Sequence, residues 1–255
     1  MWRTAATAGI TGLAALFVFA SIGRPADQPE QQPNKDTAME MIVKKTDDFE
    51  VDGSGSNPAW QKTAWQPLGL VNGKTLSYET KAKLLYSPKG IYALVDCEDK
   101  KLTCTKTRFL DDIFQEDVVE MFLWPDERHP LYFEYEISPL NVELPVLVSN
   151  NGQRFYGWAP WHYDGERMTR KATSVRGGKK QSMAGVEGWT VEFFIPFALL
   201  TGLPNTPPQP GSYWRADIFR IDYDVKDSVH QWAWETRTGP NFHDYKNFGK
   251  IIFEK

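Results

Sequence analysis

From Asp47 to the end of the chain, apolar residues tend to recur at every second position, and no stretch sustains a helical period beyond a turn or two. A two-residue period puts successive side chains on opposite faces of a strand. Within residues 131–138 it sets Leu131, Phe133, Tyr135 and Ile137 against Tyr132, Glu134, Glu136 and Ser138, so one face is apolar and the other carries two carboxylates. A chain written this way has to bury sheet against sheet.

Residues 80–86 and 91–96 flank the turn SPKG and predict a β-hairpin. Residues 118–123, 131–138, 189–195, 214–223, 231–234 and 250–254 bring the series to at least eight strands, with Pro196 closing one of them ahead of FALLTG, which reads as a single helical turn. Their spacing favours an all-β, two-sheet antiparallel β-sandwich of jelly-roll-like type over a parallel sheet. The region from residue 47 to residue 255 holds about 210 residues, which suits one domain with one core.

Two segments precede that body. Residues 1–23 open on a basic start followed by an apolar run without acidic residues, the pattern of an export segment. Val18 and Ala20 offer the small residues of a cleavage site after Ala20, and Ser21 and Gly23 offer a second one. The run is also long enough to stay as a membrane anchor, although Gly9, Thr11 and Gly12 weaken it and favour a cleaved signal peptide. Residues 24–46, with PADQPEQQPNKD at their centre, read as a flexible linker. The body is therefore expected outside the cytoplasm. Any tie to a membrane would run through the uncleaved first segment.

Export bears on the two cysteines. Cys97 and Cys104, in CEDKKLTC, suit a small-loop disulfide in an oxidising compartment or a pair of free buried thiols, and spacing does not choose between them. Charge bears on partners: 29 Lys and Arg against 33 Asp and Glu give a net charge of −4, which offers no basic field for nucleic acid. Aromatics reach 14% of the chain, with 10 Trp; such rings fill sandwich cores, and also stack on sugar faces.

Candidate recognition residues collect on the polar sides of these strands. Asp117, Glu120, Glu134 and Glu136 supply acceptors, and Arg215 and Arg220 in WRADIFR supply charged donors. Glu120 lies inside an apolar strand, where an unpaired charge is costly, and Arg220 reads as its partner. Trp232 and Trp234 share one side of a strand, which suits core packing or a ligand platform. His243 adjoins Phe242 in a loop within reach of a ligand on the same face.

Four pieces in order carry a family resemblance. DDFEVDGSGSNPAW leads through an Asp-Gly turn to Trp60, GIYALVDCED is a strand ending in an acid, FQEDVVEMF holds D-x-V-E-x-F behind an aromatic, and FHDYKNFGKIIFE closes the chain. Residues 47–255 resemble the family 9 carbohydrate-binding modules. The resemblance implies non-catalytic binding of a terminal sugar held between two rings, in carbohydrate catabolism beside glycoside hydrolases. Carried over by motif, the rings fall on Phe114 and Phe242 and the acid on Glu120. An Arg of the family falls on Glu134, which reverses a charge and removes a donor fork.

Acidic residues are too common here for any two to be named a glycosidase pair, and the chain lacks G-x-S-x-G, a phosphate loop and H-E-x-x-H. Two other readings remain open: an accessory or structural domain, and a haem-binding domain on the related sandwich, for which Met121, Met168 and Met183 are the available axial ligands. The family also implies structural calcium. Acidic turns at Asp96, Glu98 and Asp99 and at Asp111 and Asp112 are available, without EF-hand spacing and without an assignable ligand set.

Overall fold

The computed structural model describes residues 38–74, 76–225 and 228–255. The export segment and the first part of the linker lie outside them. The strands are β1 (Glu40–Lys45), β2 (Gln66–Pro67), β3 (Gly69–Asn72), β4 (Thr80–Ser87), β5 (Gly90–Glu98), β6 (Val118–Trp124), β7 (Leu131–Ile137), β8 (Glu143–Asn150), β9 (Phe155–Pro160), β10 (Arg170–Arg176), β11 (Gly188–Pro196), β12 (Tyr213–Asp222), β13 (His230–Ala233) and β14 (Gly249–Phe253). All eight expected strands are present. FALLTG forms turns closed by Leu199 N–H to the Pro196 carbonyl and Leu200 N–H to the Phe197 carbonyl, not a helix.

The strands hydrogen-bond in the order β10-β11-β5-β4-β1-β14-β12-β6-β7-β8-β9. The first four belong to one sheet, and the path from β14 to β9, with β13 and β3, to the other. Strand β1 links them: Glu40 to Val43 pair with β14, and Lys44 and Lys45 pair with β4. Both of these pairings are parallel, while the other strand pairings described are antiparallel. The linker expected to reach residue 46 therefore ends earlier. Met41 and Val43 are buried and Ile42 is exposed, so the short EMIVKK run already has the two-residue alternation of a strand.

Between the sheets lies the main core, where Leu84, Val95, Trp189 and Phe193 from one sheet meet Met121, Tyr135, Trp214 and Ile218 from the other. Fully burying each large aliphatic or aromatic side chain contributes about 1.5–3 kcal/mol, so this layer dominates stability. Cys97 and Cys104 are both free and belong to this layer. Of the two alternatives the spacing left open, the structure shows the pair of free buried thiols, and burial pushes the Cys97 thiol up to about 12 and the Cys104 thiol up as well. Each outer face carries its own cluster. On the smaller sheet, Tyr92, Leu94 and Phe194 are covered by Phe49 and Trp60; on the larger, Phe122, Tyr132, Val146 and Phe219 are covered by Phe242, Tyr245 and Phe248.

Candidate functional site

Register decides which side chains share the outer face of the larger sheet. One row across it runs Phe219, Glu120, Glu136, Leu144, and the next runs Asp217, Phe122, Glu134, Val146, Pro160. Partners in register lie on the same side of a sheet. Glu120, Glu134 and Glu136 thus gather there, each at most 6% exposed. Phe114, half-buried in the turn before β6, packs on the same cluster as Phe242.

The three carboxylates lack the partners that burial demands. Among the described residues no Lys or Arg forms an ion pair with them, and Oε2 of Glu134 and Oε2 of Glu136 have no hydrogen-bond partner. Burial pushes all three well above the ordinary carboxylate range, Glu134 to about 7. The neighbouring Glu134 charge adds to the effect on Glu120, and the Glu120 and Glu134 charges add to it on Glu136. The closeness of Glu134 and Glu136 acts in opposite senses on the two, lowering the first and raising the second.

His243 stands at the open side of this group. Its Nδ1 lies 2.7 Å from the Tyr132 hydroxyl, and its ring centroid lies 4.7 Å from that of Phe155. Burial holds the imidazole down at about 4, so it is neutral at physiological pH. Nδ1 and the Tyr132 hydroxyl share this hydrogen bond, and in the tautomer that accepts from Tyr132 the imidazole proton sits on Nε2 as a donor. The Asn150 amide donates to the His243 carbonyl at 2.9 Å and fixes the loop. At 3.9 Å, Glu134 Oε2 is too far from Nδ1 for a hydrogen bond.

The structure therefore brings together Phe114, Glu120, Glu134, Phe242 and His243. Arg220 and Trp234 are elsewhere. Arg220 is paired with Val119, not Glu120, in the ladder, which turns its side chain to the opposite face. Its Nη2 lies 2.7 Å from Asp222 and 3.2 Å from Asp99, and its guanidinium sits over Trp232 at 4.9 Å. Trp234 is 1% exposed between the sheets and is unavailable to a ligand on the outer face. The expected two-ring slot is also altered, because Phe242 already stacks on Phe219 with centroids 4.0 Å apart and planes at 14°. Arg215 is on the outer face but lies toward a cleft of about 720 Å³ shared with Trp124, Glu127 and Tyr213, where it donates to the Phe248 carbonyl.

A second acidic group sits between the sheets. Asp99, Asp117, Asp222 and Asp224 each bring one carboxylate oxygen within 4.8 Å of the others. Of the acidic turns considered for calcium, only Asp99 belongs to it: Asp96 pairs with Arg176, Glu98 accepts from the Glu79 amide, and Asp111 accepts from the Arg108 amide. Four hard oxygens converging on one point with Arg220 as their buried countercharge fit a calcium ion, which takes carboxylate oxygens and would offset the remaining negative charge. Burial and mutual repulsion raise Asp99 to about 7 and push Asp117 and Asp222 up. Of the methionines considered as haem ligands, Met121 is buried in the core while Met168 and Met183 are exposed, so the three do not project into one cavity.

Tyr132, Phe155 and Trp158 line the same face or its edge, and none of them stood among the residues expected to meet a ligand. The signal for the last two was FYGW, two rings before a glycine and one after it in a stretch otherwise read as loop.

This β-sandwich, with a ring-lined polar face on one sheet, has the architecture of a small-ligand recognition module. The chain belongs to the family described as carbohydrate family 9 binding domain-like, whose profile matches residues 51–255. A curated relative, an "Extracellular protein" of Arthroderma benhamiae, is 28% identical over 183 residues, 69% of this chain and 78% of its own length. Among solved structures, a candidate carbohydrate-binding protein from Bacteroides uniformis superposes with a TM-score of 0.68 at 17% identity, covering 86% of this chain and 100% of its own. A family 9 module from Caldicellulosiruptor kristjanssonii, crystallised with cellotriose, gives 0.60 at 17% identity over 85% of this chain and 94% of its own. The same module with glucose gives 0.60 and 17% over 85% and 96%.

Proposed function

We propose that the chain is a non-catalytic carbohydrate-binding protein that holds the end of a glycan on the outer face of its larger sheet, outside the cytoplasm, in carbohydrate catabolism. The observation that carries the reading is the convergence of Phe114, Phe242 and His243 around Glu120, Glu134 and Glu136, a buried carboxylate group that no Lys or Arg among the described residues pairs with and in which Oε2 of Glu134 and Oε2 of Glu136 have no hydrogen-bond partner. Sugar hydroxyls are donors and acceptors at once, and their ring faces are apolar, so this mixture of orphan carboxylate oxygens, an imidazole donor and aromatic edges matches them. The family, and related structures holding cellotriose and glucose, support the same reading. The name of the fungal relative supports an extracellular setting.

Isothermal titration with glucose and cellotriose, followed by a glycan array on the folded chain, tests the proposal. Saturable binding of at least one glycan, weakened by Glu120→Gln in a variant that stays folded, is expected. A folded chain that binds no glycan on the array overturns it and leaves an accessory structural domain beside a glycoside hydrolase.

A further inference from the structure

Strand β9 is the free edge of the larger sheet, and nearly all of its residues are exposed. Phe155 is 45% exposed and Trp158 43%, an unusual investment for two large rings with no protein partner demanding them on their solvent sides. Three residues apart, they would face opposite ways in a regular strand. The ladder between β8 and β9 slips, however: Asn150 pairs with Phe155, Ser149 with Gly157 and Val148 with Trp158. The extra residue is a bulge, and a bulge re-aims side chains. Gly157 takes φ 109°, a conformation that favours glycine, inside it.

As a result both rings turn to the face that carries the carboxylates. Trp158 shares a row with Val148 and Tyr132, and Phe155 meets His243 at 4.7 Å. In the adjacent row lies Glu134, whose Oε2 is without a hydrogen-bond partner. The rings are anchored opposite Asn150 and Val148, two residues apart and so about 7 Å along the strand. That is longer than one pyranose ring, and a ligand lying on both is a chain.

We propose that the rings of Phe155 and Trp158 form an extended subsite for a neutral glycan chain, contiguous with His243 and Glu134, so that recognition runs outward over β9 from the carboxylate group and is not confined to a slot between Phe114 and Phe242. The inference rests on the carbohydrate-binding reading and deepens it. A chain of hexoses with equatorial hydroxyls offers flat apolar faces to the rings and hydroxyl edges to the Nε2 donor and the Glu134 acceptor. Phe242, by contrast, has one face already occupied by Phe219.

The test is titration of the full chain with cellotriose and with glucose, comparing the parent with Phe155→Ala, Trp158→Ala and the control Tyr213→Ala, an exposed ring beside the other cleft. Each of the first two substitutions should weaken cellotriose about three- to tenfold while changing glucose less, and the control should change neither. Because both rings are on the surface, their thermal midpoints should match the parent's, which is checked on the same samples. Cellotriose affinity that survives the double variant unchanged overturns the subsite while leaving the carbohydrate reading intact. A parent that binds neither probe nor any array glycan overturns both. A dimer of the parent in size-exclusion chromatography with light scattering, lost in the double variant while cellotriose affinity is kept, would assign the rings to a second copy and overturn the proposal.

Discussion

Two buried acidic groups lie on opposite sides of the larger sheet, and the chain treats them differently. Between the sheets, every carboxylate oxygen of Asp99, Asp117, Asp222 and Asp224 accepts a hydrogen bond, from Trp189, Arg220, Tyr78, Thr103 or the backbone amides of Lys101, Thr103, Tyr223 and Asp224. On the outer face, Glu120, Glu134 and Glu136 have no Lys or Arg partner among the described residues, and Oε2 of Glu134 and Oε2 of Glu136 are without a hydrogen bond. A buried carboxylate whose oxygens each already accept a bond is held in place by the fold and keeps only its second lone pairs for a cation, whereas one left short has open capacity for a hydroxyl. Glu192 on the smaller sheet confirms the contrast, since it is equally buried and accepts from the Trp60 indole at 2.8 Å and from the amides of Asp52 and Gly53, each at 2.9 Å.

The largest effect should come from breaking the satisfied group. Arg220→Leu leaves its carboxylates without a countercharge, and a loss of about 3–5 kcal/mol in urea unfolding is expected. Stability within experimental error of the parent would show that the arginine is not what holds those acids. Calcium sharpens the same point. An ion bound only by the folded state stabilises by about 2.7 kcal/mol at a concentration 100 times its Kd, so millimolar calcium should raise the thermal midpoint, a chelator should reverse the rise and Asp117→Asn should blunt it. No response in the parent would mean that Arg220, Lys101, whose Nζ lies 3.8 Å from Asp224, and protons balance the cluster without an ion.

The unsatisfied group should behave in the opposite sense. Burial raises Glu134 from an ordinary 4.5 to about 7 in the folded chain, so its contribution is fully present below the unfolded value and is lost as the pH rises through about 7. Glu134→Gln should therefore gain on the order of 1–3 kcal/mol over the parent at pH 8, with little difference at pH 4. A variant less stable than the parent at pH 8 would mean that Glu134 has donors of its own. The smallest effect concerns His243, held down to about 4 from 6.5 by burial. Its contribution is present above 6.5 and is lost as the pH falls toward 4; partial exposure should keep the loss under about 1 kcal/mol. Comparing the stability–pH curves of the parent and His243→Phe checks it, and curves that stay parallel between pH 7 and 4 would contradict it.

Alternation alone carried the eight expected strands, because each has one face in the main core and a two-residue period is what a half-buried strand requires. It also placed Glu120, Glu134 and Glu136, since parity within a strand is a property of sequence. Strand β9 escaped detection because it is exposed on both faces and so leaves no apolar period, and β1 because EMIVKK is short and follows a polar stretch. Parity between strands was another matter. Glu120 and Arg220 looked like partners, yet the ladder sets Glu120 beside Phe219 and turns Arg220 inward to Asp99 and Asp222. Shifting a register by one residue exchanges the faces of a whole strand, and register is fixed by the packing of both sheets at once. The sequence by itself determined which residues alternate and which acids share a strand face; only the tertiary structure decided which face of one strand meets which face of the next, and hence which acids are satisfied and which are left to bind.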